Sequence, residues 1–260
     1  MSAVYFISDL HLGAPDASSS RARELRFVNW LEQIKQDASH LYVVGDLFDF
    51  WFEYKRAVPR GFTRALGKLA ELSDQGVELH LFTGNHDLWI FDYLPNELGA
   101  QLHRQPIDVH HQGLHLLVGH GDGLGPGDHG YKFLKRIFTN RLMQWSFERL
   151  HPNFGIWLAG RSSQLSRKHT GGEDARFLGA ENEWLYQYCL EQEAEQHRDL
   201  YLFGHRHLPI QMKVNEASQY FNLGDWIQYF TYGRLANAEF SLKQHQGNVN
   251  TDPLAPTHQH

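Results

Sequence analysis

One short phrase recurs along this chain: an apolar run that closes abruptly on a polar residue. It is written VYFISD at 4–9, LYVVGD at 41–46, LHLFTGN at 79–85, LHLLVGH at 114–120, LYLFGH at 200–205 and YFNLGD at 220–225. In all but the first, a glycine stands immediately before the closing residue, where it permits a sharp exit from a strand. The runs are rich in Val, Leu and aromatics with little alternation, as strands covered on both faces are.

Segments of helical period lie between the early runs. RELRFVNWLEQIKQ, 23–36, places Leu25, Val28, Trp30, Leu31 and Ile34 in one stripe, and FTRALGKLAELSDQG, 62–76, does so with Phe62, Leu66, Leu69 and Leu72 before a glycine stop. Asp46 follows Asp9 by 37 residues and Asn85 follows Asp46 by 39, the size of one strand plus one crossover helix. QPIDVHHQG, before the run that ends at His120, reads as a strand entering a hairpin, so the later sheet is expected to be mixed. With 260 residues, 42 % of them hydrophobic, the chain can fill a core of its own.

Open α/β sheets place ligand sites at the carboxyl ends of their strands, where the closing residues stand. Collected, they are Asp9, His11, Asp46, Asn85, His120, His205 and His207. Asp9 with His11, and His205 with His207, are spaced i and i+2, which on extended backbone sends both side chains to one side. Any one of them alone reads as a cap or a surface histidine, since the chain has 18 histidines. Seven oxygen and nitrogen donors are too many for one ion, whereas two ions sharing a carboxylate would use them all.

In the order DxH, GDxxD, GNHD, GH, GHxH, these motifs resemble the calcineurin-like metallophosphoesterase superfamily over most of the chain. The resemblance implies a four-layer α-β-β-α sandwich, of mixed α+β and α/β character, with a dinuclear metal centre at the strand ends. Carried over motif by motif, it implies one ion on Asp9, His11, Asp46 and His207 and a second on Asp46, Asn85, His120 and His205, with Asp46 bridging. Carboxylate, amide and imidazole ligands without thiolate suit Mn²⁺, the expected ion, and leave Fe and Zn open. His86 would assist the leaving group or bind phosphate, oriented by Asp49 of GDxxD. His40, His80, His103, His151 and His197 are expected to do nothing chemical.

Between His120 and His205 lie 84 residues where a helix and a turn would suffice, and they read as an inserted helical cap. From His129 to Thr170 there are eight Lys and Arg against Glu148 alone, interleaved with Phe133, Ile137, Phe138, Trp145 and other apolar residues. A basic helix packing on the core or on a second subunit is one reading; a pocket or surface for an anionic amphiphile is the other. The boundaries expected are 1–125 and 186–243 for the core, 126–185 for the cap and 244–260 for a loose polar tail.

ISDLHLG, GDLFDFWFE, GNHD, GHGDGLGPGDHGYK and GHRH, with that cap between the last two, more closely resemble the UDP-2,3-diacylglucosamine hydrolases of lipid A synthesis. The resemblance implies Mn²⁺-dependent cleavage of a nucleotide-lipid pyrophosphate to UMP and 2,3-diacylglucosamine 1-phosphate. Asp128 and Tyr131 would face substrate, joined by Arg161, Ser163, Arg167 and Lys168 of GRSSQLSRK. One position departs from the pattern, because better-known members carry arginine where this sequence has His86. A hydrolase of another nucleotide pyrophosphate or phosphodiester therefore stays open, as does a non-catalytic scaffold.

The apolar N-terminal run, Val4 to Ile7, is too short for a signal peptide, and no window approaches the roughly 18 to 20 apolar residues of a membrane span. One cysteine, Cys189, excludes an internal disulfide framework. The expectation is a cytoplasmic protein with peripheral contact to the inner membrane surface. No nucleic-acid partner is expected, and the oligomeric state is open.

Overall fold

The computed structural model describes residues 2–126, 129–170, 177 and 179–245, without the side chains of 129 and 162–170. The chain begins with β1 (Ala3–Ile7), α1 (Ala17–Ile34), β2 (Ala38–Val44), α2 (Thr63–Asp74), β3 (Glu78–Phe82), α3 (Tyr93–Leu98) and β4 (Gln101–His103). The four strands lie parallel, as βαβ spacing predicts. A hairpin of β5 (Ile107–His111) and β6 (Leu114–Gly119) follows. Its turn residues, Gln112 and Gly113, have φ of 54° and 86°, the double left-handed geometry that suits a twisted hairpin.

Next come α4 (His129–Phe138), α5 (Arg141–Glu148), α6 (Pro152–Thr170) and α7 (Trp184–Glu195). The chain then runs through β7 (Leu200–Phe203), β8 (Pro209–Lys213), β9 (Gln219–Leu223), β10 (Thr231–Ala236) and β11 (Glu239–Gln244). One sheet has the order β11-β10-β1-β2-β3-β4 and the other β5-β6-β7-β9-β8, both mixed.

Strand parity builds the four layers. Ala3, Tyr5 and Ile7 of β1 face α1 to α3, meeting Phe27, Trp30, Leu69 and Leu94. Val4 and Phe6 face the opposite sheet and meet Val118, Leu202 and Phe221. On that sheet's outer face, Tyr201, Phe203 and Tyr220 receive Leu185 and Cys189 of α7. The four-layer sandwich expected from the motifs is the observed fold. His40, His80, His103 and His111 line one edge of the intersheet space, where the Tyr42 hydroxyl meets His111 Nε2 at 2.7 Å and His80 Nδ1 lies 3.0 Å from His103 Nε2.

Helix α1 departs from expectation at both ends and in its buried face. It starts six residues before position 23 because the Asp16 carboxylate caps it, accepting from the Ser18 and Ser19 amides, a signal outside the apolar period. Its core face is Ser20, Arg23, Glu24, Phe27, Trp30, Leu31 and Ile34, while Leu25 is exposed and Val28 half-buried. The face is turned because two charged residues are needed inside. Arg23 donates to the carbonyls of His11 and Ala14, and Glu24 accepts from the Arg64 and Ala65 amides at the start of α2.

Candidate metal centre

The residues that close the apolar runs do gather, though not on extended backbone. Asp9, His11, Asp46, His205 and His207 have φ of 56°, 44°, 51°, 68° and 53°. A left-handed non-glycine residue costs about 1–2 kcal/mol, and persists where the surroundings over-determine it. Spacing of i and i+2 therefore converges Asp9 with His11 through a tight strained turn, and it sends His205 and His207 to different groups. The glycines also serve a second purpose. A Cβ on Gly84 would strike the Asp46 carboxylate, one on Gly204 the Ser8 hydroxyl, and one on Gly45 the His120 ring. These loops stack so closely that only glycine fits between them, and of the three only Gly45 is left-handed.

Two groups of donors result. In the first, His11 Nε2 lies 3.2 Å from His207 Nε2 and 3.6 Å from Asp9 Oδ1, which is 3.5 Å from His207 Nε2. In the second, His120 Nε2 lies 3.4 Å from Asp46 Oδ2 and 3.2 Å from Asn85 Oδ1, which meets His205 Nδ1 at 2.9 Å. Asp46 Oδ2 is also 3.7 Å from His11 Nε2, so one carboxylate oxygen faces both groups. All seven expected residues are brought together, and His86 forms a third grouping with His11 and Asp46.

Each carboxylate is held by one oxygen. Asp9 Oδ2 accepts from Ser8 Oγ at 2.5 Å and from the His205 amide at 2.9 Å, and Asp46 Oδ1 accepts from the His86 amide at 2.9 Å. Their other oxygens, Asp9 Oδ1 and Asp46 Oδ2, are buried without a hydrogen-bond partner and point into the two groups. A buried unpaired carboxylate oxygen is costly unless a cation meets it. Burial alone would raise both acids, yet the neighbouring imidazoles hold them below the usual carboxylate range. Burial would lower His120 as well, but Asp46 overrides it and pushes the imidazole up to about 10. The centre demands positive charge, and its oxygen and nitrogen donors fit divalent ions.

Partners outside the groups fix the imidazoles. His120 Nδ1 bonds the Val44 carbonyl at 2.8 Å and His207 Nδ1 lies 3.3 Å from Asp225 Oδ2, so both present Nε2 inward. Asp87 is fully buried and accepts from the Gly84, Leu47 and Phe48 amides, tying the Asn85 loop to the Asp46 loop. Burial, aided by the Asp46 charge, pushes its carboxyl up to about 7. Glu53 caps α3 by accepting from the Phe91, Asp92 and Tyr93 amides. Both acids lie within the quoted motifs, but no periodicity separates an amide-binding carboxylate from a metal-binding one.

His86 packs edge-on against His11, ring centres 4.8 Å apart. Its Nδ1 meets the backbone carbonyl of Asp49 at 3.0 Å, whereas the Asp49 carboxylate is 3.8 Å away. Tyr131 reaches the rim of the centre: its ring is 6.4 Å from His205, and its hydroxyl donates to Asp122 at 2.6 Å, where Lys135 also binds. Arg161 is exposed, its guanidinium 5.2 Å from the Trp157 ring. Asp128 and the side chains of Ser163, Arg167 and Lys168 lie outside the described residues.

A cavity of about 440 Å³ has Asp49 in its wall, together with Leu12, Phe50, Arg60 and Phe62 of the core and Asn153, Ile156 and Trp157 of α6. The aromatic residues of α4 and α5 differ in what they meet. Phe138 and Phe147 pack on Trp89, and Phe147 also on Phe52, against the loops that follow β2 and β3. Phe133 and Trp145, read from the sequence as part of a pocket or surface for an anionic amphiphile, are 64 % and 51 % exposed and face outward.

A four-layer sandwich that converges two groups of oxygen and nitrogen donors on a shared carboxylate defines a metal-dependent phosphoesterase. The chain belongs to the calcineurin-like phosphoesterase family, whose model matches residues 2–209, and it is a metal-dependent hydrolase that uses divalent ions. It is 42 % identical over 245 residues to a UDP-2,3-diacylglucosamine hydrolase of Porphyromonas gingivalis, covering 89 % of this chain and 93 % of that one. A hydrolase of the same name from Tolumonas auensis is 28 % identical over 244 residues, 91 % of this chain and 94 % of its own. Among solved structures, Yfce, a phosphoesterase from E. coli, is similar over 93 % of this chain and 92 % of its own, at 17 % identity and a TM-score of 0.46.

Proposed function

We propose that this chain hydrolyses the pyrophosphate of UDP-2,3-diacylglucosamine to UMP and 2,3-diacylglucosamine 1-phosphate, the step that its relatives' name and the motifs imply. The observation that carries the reading is a cavity with Leu12, Phe50, Phe62, Ile156 and Trp157 in its wall that meets the donor groups at Asp49, 3.8 Å from His11 and from His86, which would offer an acyl chain a place near the phosphate chemistry. Asp9, His11, Asp46 and His207 would hold one ion and Asp46, Asn85, His120 and His205 the other, with Mn²⁺ suited to both. Bound there, the pair supplies positive charge that polarises the phosphoryl group and acidifies water.

The chain's own residues do the rest. With Nδ1 at 3.0 Å from the Asp49 carbonyl, His86 would address a phosphoryl or departing oxygen through Nε2. Burial holds its imidazole down to about 4, and a bound phosphate's charge works in the opposite direction. Asp49, in the cavity wall, supports His86 through its backbone carbonyl. Asp128, Tyr131, Arg161, Ser163, Arg167 and Lys168 would engage the headgroup from a cap spanning 126–185, set on a core of 1–125 and 186–243. His86→Ala is expected to lower kcat by ~10²–10⁴ at unchanged metal stoichiometry. Unchanged kcat would make His86 a bystander. His86→Arg, if active on the lipid, would show that either residue fills this role.

Outward-facing Phe133, Leu142, Trp145 and Phe154, set among Lys and Arg, suit a peripheral seat on an anionic membrane surface. Among the described residues no helix is long and apolar enough to cross a membrane. The deciding experiment is product analysis after incubation with UDP-2,3-diacylglucosamine and Mn²⁺. UMP and the diacyl sugar phosphate are expected, and an intact substrate would overturn the reading.

A further inference from the structure

Arg206 stands between the two histidines of GHRH, and its side chain leaves the donor groups for the α7 side of the sheet. Its Nε donates to Glu183 Oε2 at 3.2 Å, with side chains 6 % and 1 % exposed. Glu183 is the residue at which α7 begins, and its second oxygen accepts from the Tyr220 hydroxyl at 3.5 Å. The flanking residues point elsewhere: His205 to Asn85 in one donor group, His207 to His11 in the other.

We infer that the buried Arg206–Glu183 pair is a positioning device that sets the spacing of His205 and His207, and so of the two ions. The inference rests on the two-metal reading. Both histidines are left-handed, a conformation the local chain would leave unless something holds the residue between them. An apolar pair would pack as well as an ion pair in a core, but it would not fix direction as a charged hydrogen bond does. Asp225 provides the contrast: one of its oxygens accepts the Gln228 and Tyr229 amides, and the other meets a single donor residue, His207.

Calorimetric titration of Mn²⁺ alone into metal-free protein tests this, with melting temperatures measured in parallel. Wild type is expected to take up two ions. Glu183→Gln and Arg206→Lys are each expected to weaken both steps by ~10- to 100-fold, as loss of a ligand's outer partner does. Asp225→Asn should weaken one step. Asp108→Asn should weaken neither, because it loosens the Arg198–Asp108 pair at the other end of β7. Should Glu183→Gln fail to fold, Arg206→Lys and the paired Glu183→Leu, Arg206→Met replacement carry the same expectation. A lower melting temperature with both Mn²⁺ affinities within about twofold of wild type would overturn the inference alone, and so would weakening of a single step. Uptake of fewer than two ions by wild type would remove the two-metal reading and the inference with it.

Discussion

Asp46→Ala is expected to abolish hydrolysis and to cost the protein both ions, whereas His207→Ala should retain one. The difference follows from geometry: Asp46 Oδ2 faces His120 and His11 at 3.4 and 3.7 Å, while His207 touches only the Asp9 and His11 group. An ion pair stabilising phosphoryl charge supplies several kcal/mol to the barrier, and each 1.36 kcal/mol is a decade, so a fall in kcat of at least ~10³ is expected. The protein should stay folded in chelator, since the apolar runs that build the sheets exclude these ligands. Metal-free Asp46→Ala should melt lower than metal-free wild type, because the removed carboxylate accepts the His86 amide and faces the His120 imidazole that it pushes up to about 10. Metal analysis, turnover and melting temperature check the three parts separately, and near-normal turnover would defeat the bridging role.

That the seven residues gathered here could be picked from the sequence as candidate donors has a physical cause. A buried strand is an apolar run, so the first polar residue after it marks the sheet's carboxyl edge, where a doubly covered sheet admits ligands. The layers were legible for the same reason, as Val4 and Phe6 face one way and Tyr5 and Ile7 the other. Backbone handedness was not legible. Nothing in the letters of Asp9 or His205 announces a left-handed residue, since the fold around it, and not its own propensity, imposes that conformation. Carboxylates with structural tasks were equally hidden: Asp87 and Glu53 bind amides, and Glu24 and Arg23 turn α1 away from its apolar period. Helices α4 and α5 were legible only in part, because amphipathic helices show that one face is apolar but not whether it meets core, ligand or solvent. Phe138 and Phe147 meet the core loops, while Phe133 and Trp145 meet solvent.

Removing the acyl chains from the substrate is expected to lower kcat/KM by several orders of magnitude. If the cavity beside Asp49 receives part of an acyl chain, each methylene taken out of water contributes at most ~0.8 kcal/mol, so five of them amount to ~4 kcal/mol, or about three decades. Remote binding of that kind can be expressed in turnover as well as in affinity, so the loss should fall on kcat as well as KM. Replacing Trp157 by alanine on the α6 wall should reproduce part of the effect for the diacylated substrate and none for the acyl-free one. That selectivity separates lost acyl contact from general damage to the cap. Phe133→Ala, on the outward face, should instead reduce binding to vesicles containing anionic lipid and leave hydrolysis of detergent-dispersed substrate near normal. Labelled oxygen from water is expected in UMP, from attack at the phosphorus nearer uridine. If UDP-glucosamine without acyl chains is cleaved as fast as the diacylated form, the lipid reading fails and the cap is a packing element.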